Sequence, residues 1–474
     1  MRLSPIVLLA VLPATTFSFG EGASEASERR TLPPRSKYLL LDCRVIDTVE
    51  NARLAVGNVK KHPTNPLFGE ELPWEVRFDN LYANVLYDAE EGIYKCWYSP
   101  FIVDPAYETV PRDQREPGMY IPALRSTGRD RTMGVAYATS RDGIRWDKPR
   151  MDVRLWEDKE QTNLVEIGPH GAGIFKDIHD SNPKRRYKMF FKEGKDVCVA
   201  FSSDGIHWSE PVPCPEIDAA ADTHNNAIWV PELNRYTGIT RLWKAGQRVV
   251  GGTDSADFLT WTKAREILRG SPELQVYAMP VFRYADVYLG LPVIFNPKTD
   301  RSHTELAWSP DTLTWHRIEP GTPLIPTGSN RNDYDWGCVY AADAPVVLDD
   351  EIRLYYGASN GPHTDWRDGF LALATLPVDG FAGYVPTDAA KPAMVRSRLV
   401  TPAGADLYVT GDVLGELRVR MRDETGKTLA KSAPVSGNLI NRKVTFPENA
   451  DFAARPFRLE FEWNAGRLDS FAIR

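Results

Sequence analysis

The pattern Ser-x-Asp-x-x-x-Trp occurs four times in this chain at identical internal spacing, and no other feature restricts the fold as tightly. The copies are Ser140-Arg-Asp142-Gly-Ile-Arg-Trp146, Ser202-Ser-Asp204-Gly-Ile-His-Trp208, Ser255-Ala-Asp257-Phe-Leu-Thr-Trp261 and Ser309-Pro-Asp311-Thr-Leu-Thr-Trp315, with a degenerate fifth at Leu376-Pro-Val-Asp379-Gly380-Phe381. Successive serines stand 62, 53 and 54 residues apart. Self-similarity at such a period marks a supersecondary unit that buries its faces only by stacking on copies of itself. Within each copy, Asp and Gly suit a turn between strands, the Ser hydroxyl can satisfy the turn's backbone, and the Trp can pack between units. The motif residues therefore read as scaffold.

Each copy is preceded by strand-like runs bounded by turn residues such as Asp88-Ala-Glu-Glu-Gly92. First runs lie at 84–87, 173–175, 226–229, 280–282 and 345–348; second runs lie at 93–98, 186–191, 235–239, 287–291 and 352–356. Third runs, for example 133–137 and 197–201, lead into the motif, and a fourth short strand can follow the Trp. Helical periodicity is absent throughout. The expectation is an all-β chain: a five-bladed β-propeller over residues 37–390, followed by a small C-terminal β-sandwich over 397–474, where apolar and polar residues alternate at 416–421, 443–446 and 457–463.

Residues 1–26 read as a secretory signal: Arg2, a short apolar stretch from Ile6 to Leu12, then small residues around Ala26. No later stretch is apolar enough for a membrane span, so a secreted or periplasmic protein is expected. Five scattered cysteines without CxxC pairing offer neither a zinc site nor a disulfide framework. With 57 Lys and Arg against 64 Asp and Glu, the net charge of −7 gives no phosphate attraction, which excludes nucleic acid as a partner.

In a propeller the inner strands line a central funnel, so chemistry is sought at their starts. Asp79 and Asn80 precede the first inner strand, with Asp79 fifteen positions before Tyr94. Asp222 and His224 precede the third, with Asp222 fourteen before Tyr236. His170 opens the second unit, and Asp335 precedes the fifth. Glycosidic bonds are cleaved by paired carboxyl groups, one protonating the leaving oxygen and one acting as base or nucleophile. Asp79, Asp222 and Asp335 are the candidate catalytic acids, with Glu305 or Glu193 as proton donor. His170, His224, Asn80, Arg241, Trp97 and Trp243 are candidate substrate contacts, since aromatic faces stack on sugars and guanidinium groups pair with hydroxyls or carboxylates. For Trp97, packing between blades competes with that role. The insertion at 100–132 would wall the funnel. The expected partner is a carbohydrate, cleaved without cofactor or metal; the alternative is a propeller that binds glycan without cleaving it.

The Ser-x-Asp-Gly-x-x-Trp units, the Asp-first inner strands and the leader resemble the five-bladed glycoside hydrolases of the families 32, 43 and 117 type, closest to exported bacterial family-32-like proteins. The resemblance spans about residues 37 to 390 and extends to a trailing sandwich. It implies three acids round the funnel, with Asp79 at the position of the base or nucleophile. The Asn-Asp-Pro-Asn, Arg-Asp-Pro and Glu-Cys motifs of those families are missing, and His170 stands where the second acid is expected.

Overall fold

The computed structural model describes residues 31–120, 131–157, 160–447 and 455–474. The leader expected over residues 1–26 lies outside them. The described residues form an all-β structure whose sheets, antiparallel apart from one parallel bridge between Ser302 and Cys338, take a propeller-like arrangement. The first unit pairs Asn84–Asp88, Ile93–Tyr98, Thr132–Ser140 and Leu164–Ile167. The second pairs His170–Lys176, Tyr187–Glu193, Asp196–Ser202 and Val212–Pro213. Next come Asn226–Val230, Arg235–Lys244, Gln247–Ser255 and Arg265–Arg269, then Val281–Tyr284, Val287–Gly290, Leu306–Ser309 and His316–Ile318. In the last unit Val346–Val347, Glu351–Ser359 and Gly369–Pro377 take their fourth strand, Lys60–Lys61, from the start of the chain.

The repeated motif does what its chemistry dictates. Asp142 Oδ1 accepts from the N–H groups of Ile144 and Arg145, each at 2.8 Å, while the Gly143 N–H donates to Ser140 Oγ at 2.8 Å. Asp204, Asp257 and Asp311 repeat the pattern. Each Trp lies where its unit meets the previous one: Trp208 packs in the cluster of Trp97, Trp261 against Phe190, and Trp315 in that of Ile239. Trp146 meets Tyr355 of the last unit, whose hydroxyl donates to Gly143 O at 2.8 Å. First and last units are thereby joined.

Two buried asparagines tie neighbouring inner strands together, because polar groups that deep must find partners. Asn84 donates to Ala172 O at 2.8 Å and accepts from the Ile174 N–H at 2.9 Å. Asn226 accepts from the Val281 N–H at 3.0 Å and donates to Asp343.

The C-terminal strands do not stand alone. Ile46–Glu50 pairs with Ala393–Ser397, and Ala52–Val56 with Ala382–Pro386. Both join a ten-stranded sheet with the long strand Leu407–Arg422, Arg458–Trp463 and Gly466–Ile473. Tyr38, Leu40 and Val45 share a core with Val409, Phe461 and Phe471. Residues 38–56 and 382–386, read as part of the repeat region, thus join the sheet of the tail: Tyr38–Leu39 and Ala382–Pro386 pair with Gly466–Ile473, and the strands at 46–50 and 52–56 extend that sheet. All five cysteines are free, and only Cys43 is exposed. Among the described residues no helix is long and apolar enough to cross a membrane.

Candidate active site

Asp79 and Asp222 come to one cavity of about 620 Å³, lined also by Arg77, Phe101, Arg131, His170, Lys192, Glu193, Tyr277 and His363. Neither lies in an inner strand. Asp79 follows the short strand Arg77–Phe78, five residues before Asn84, and Asp222 stands four before Asn226. Left-handed residues kink the chain beside both: Leu81 and Tyr82 have φ of 62° and 45°, and Ala221 has 52°. Such conformations persist only where surrounding packing holds them. Here the three side chains are buried.

Asp79 is pinned. Arg77 Nη1 donates to its Oδ1 at 2.7 Å, and Arg367 Nη2 reaches the same oxygen. Burial pushes its carboxyl up, but the charges of Arg77 and Arg367 outweigh this and hold it well below the usual carboxylate range. Arg77 Nε also lies 3.0 Å from buried Asp104. Asp222 is half exposed at 53%, with His170 Nε2 2.9 Å from Oδ1 and Arg241 Nη1 3.5 Å from Oδ2. Burial is again outweighed, first by His170 and then by the charge of Arg241, so this carboxylate too stays ionised.

His170 depends on a glycine. Gly171 has φ of 59°, and a Cβ there would sit 1.7 Å from Thr223 O, so only glycine lets this backbone meet the segment bearing Asp222. Arg241 is buried, its Nη2 donating to Tyr277 O at 2.7 Å and its guanidinium 4.1 Å from the Tyr277 ring centre.

The third carboxyl of the cavity behaves differently. Glu193 ends the strand Tyr187–Glu193, beside Gly168. Burial first, then the charges of Glu166 and Glu210, raise its pKa above the ordinary glutamate value. His363 contributes a fixed donor. Its Nδ1 faces Tyr340 Oη at 3.0 Å and Arg367 Nη1 at 3.2 Å. Guanidinium can only donate, so Nδ1 accepts and the ring proton sits on Nε2. Burial, then the charge of Arg367, lowers its pKa to about 3, keeping it neutral.

The other candidates are placed elsewhere. Asp335 lines a second cavity and is buried against Lys61 Nζ at 2.5 Å and Tyr356 Oη at 3.1 Å. Glu305 is buried between Arg317 Nη2 at 2.5 Å and His303 Nε2 at 3.1 Å, and accepts from the Gly321 N–H at 3.0 Å. Neither lines the main cavity. Each is matched by a cation, Lys61 or Arg317, that does not line the main cavity. Trp97 is buried, donating to Gly205 O at 2.7 Å, hence a packing residue. Trp243 is 46% exposed with Arg248 over its face. Asn80 and His224 lie behind the cavity wall. Asn80 donates to the Tyr82 and Tyr277 hydroxyls, and His224 Nε2 lies 3.2 Å from Asn84 Oδ1. Burial lowers the His224 pKa to about 3.

Reading the sequence missed Arg77, Arg131, Lys192, Tyr277, His363 and Arg367. Arg77 carried a signal, a cation standing only two residues before Asp79. His363 sits in a loop, where no periodicity announces it. Among the described residues no cluster of three or more His, Cys, Asp or Glu could hold a metal.

No protein-family model and no curated protein matches the chain. Solved structures similar to it include a β-1,2-mannobiose phosphorylase from Listeria innocua with β-1,2-mannobiose, at 15% identity and TM-score 0.48, covering 68% of this chain and 98% of that one. An N-acetylgalactosamine deacetylase from F. plautii with blood group B trisaccharide matches at 15% identity and TM-score 0.43, covering 70% and 97%. An α-L-arabinofuranosidase from Podospora anserina with cellotriose matches at 10% identity and TM-score 0.45, covering 67% and 97%.

Proposed function

We propose that the protein is an exported glycoside hydrolase that cleaves its substrate in this cavity, at the funnel of a five-bladed propeller whose last blade is closed by Lys60–Lys61 and which carries a β-sandwich. One observation carries the reading: a single cavity holds two carboxylates kept ionised and one carboxyl pushed the other way. Carboxyl groups whose surroundings drive their pKa values apart divide acid and base roles between them. Glu193 is the proton donor to the leaving oxygen. Asp222, half exposed and steered by His170, is the base or nucleophile. Asp79, pinned by two guanidinium groups, accepts sugar hydroxyls and offsets charge developing on the ring. The Nε2–H of His363 binds a further hydroxyl.

A second reading is a propeller that binds glycan without cleaving it, favoured by the pinning of Asp79, which suits a fixed hydrogen-bond acceptor. An oligosaccharide panel followed by product release and by calorimetry separates the two. Under the hydrolase reading, Glu193→Gln lowers turnover by about 10²–10⁴ while binding survives. The wild type's rate should also fall as pH rises through the raised pKa of Glu193, a limb missing from the variant. Binding without release by the wild type would establish the second reading. Unchanged turnover in Glu193→Gln would remove that residue as the acid.

A further inference from the structure

Two ionisable groups lining the cavity, Lys192 and Glu193, have side chains without a hydrogen bond or ion pair among the described residues. With Glu193 holding its proton as the acid proposed above, Lys192 is the unpaired charge. Arg77 is engaged by Asp79 and Asp104, and Arg131 Nε lies 3.1 Å from Asp104. Asp222 faces His170 and Arg241. Lys192 also lines the cavity, cross-strand from His170, and its charge is felt at Asp222. Among the described residues its ammonium makes no hydrogen bond and no ion pair. Glu193, its neighbour in sequence, shows no influence of that charge and retains a raised pKa.

An unpaired ammonium in this position opposes the chemistry proposed above. Glycosidic cleavage passes through an oxocarbenium-like transition state carrying positive charge on the ring. Like charge held nearby raises the barrier unless something neutralises it, and water is a weaker screen inside a cavity than outside. Glu193, protonated as the acid, offers Lys192 no charge, and Asp79 and Asp222 are engaged by other cations, so the negative charge that would match Lys192 comes from the substrate. We infer that the sugar cleaved here bears an anionic substituent, the carboxylate of a uronic acid or a sulfate ester, and that Lys192 binds it. Arg131 lines the same cavity and lends further positive potential.

The inference rests on the glycan reading and can fail separately from it. Calorimetry on the full-length protein would compare an oligogalacturonide with its carboxyl-reduced form, and a sulfated galactan oligosaccharide with its desulfated form. The expected result is at least tenfold tighter binding of one anionic member than of its neutral counterpart; which pair shows it distinguishes carboxylate from sulfate. Lys192→Met, which keeps the apolar stem, should bring the anionic member down to the neutral one's affinity, and Lys192→Arg should keep the preference. Neutral forms bound or cleaved as well as charged ones would overturn the inference and leave the glycan reading intact. A preference that survives in Lys192→Met would also overturn it. Failure of all four oligosaccharides to bind would count against both.

Discussion

Asp222 and Glu193 line one cavity, yet their surroundings drive them apart, and the same contest decides a carboxyl far from any substrate. Asp343 is buried, with the Asn226 amide as its donor and, among the described residues, no cation paired with it. Burial therefore prevails and its pKa is pushed up to about 7. In the unfolded chain an aspartate titrates near ~3.9. The folded state thus holds this proton more tightly, and the stability linked to it is full below about pH 4 and lost as pH rises to about 7. The slope is on the order of 1.4 kcal/mol per pH unit within that window. Asp343→Asn keeps the acceptor oxygen for Asn226 and removes the ionisation. It should raise the melting temperature at pH 8 by a margin that shrinks towards pH 4, measured by thermal unfolding across pH. Equal margins at both pH values would mean that the effect is packing.

At the scale of the element, the site is made by segments entering inner strands rather than by the strands themselves. The left-handed residues at Leu81, Tyr82 and Ala221 turn Asp79 and Asp222 inward before regular pairing starts. Gly171 lets the second unit approach the third closely enough for His170 to meet Asp222. Gly171→Ala forces a methyl group into Thr223 O, and backbone cannot step aside as a side chain can. A loss of about 1–3 kcal/mol is expected from overpacking. Turnover should also fall beyond what the lost stability explains, since His170 shifts off Asp222. Activity measured well below the melting temperature tests this. A destabilised variant with normal turnover would dissociate the His170–Asp222 contact from the chemistry.

Taken whole, the molecule is closed twice by its own N-terminal region. Lys60–Lys61 completes the sheet of the last unit, and the strands at 46–56 cross to the C-terminal sheet. A chain ending at residue 396 would bare Tyr38, Leu40, Val45 and Val395, which are buried against Val409, Phe461 and Phe471. Losing that apolar contact from a surface of this kind favours association between molecules. The truncated chain should be aggregated or unfolded by light scattering and circular dichroism. A monomeric, cooperatively melting product would show that the repeat region folds without its tail.

Local chemistry was readable from the sequence wherever a residue's partners lie a few positions away. The motif aspartates accept from backbone two and three residues on, so their spacing alone exposed them as turn-formers and revealed the repeating unit. Asp79 and Asp222 were found because each precedes its inner strand by a similar count. What the sequence could not supply was the partner that decides each charge. Asp335 meets Lys61, 274 residues away, and is paired outside the main cavity; Asp79 meets Arg367, 288 residues away, and is held ionised inside it. Strand alternation is a property of neighbours along the chain. Ring closure and burial bring together residues from its two ends, and these alone separated the carboxylates that line the cavity from those that hold the scaffold.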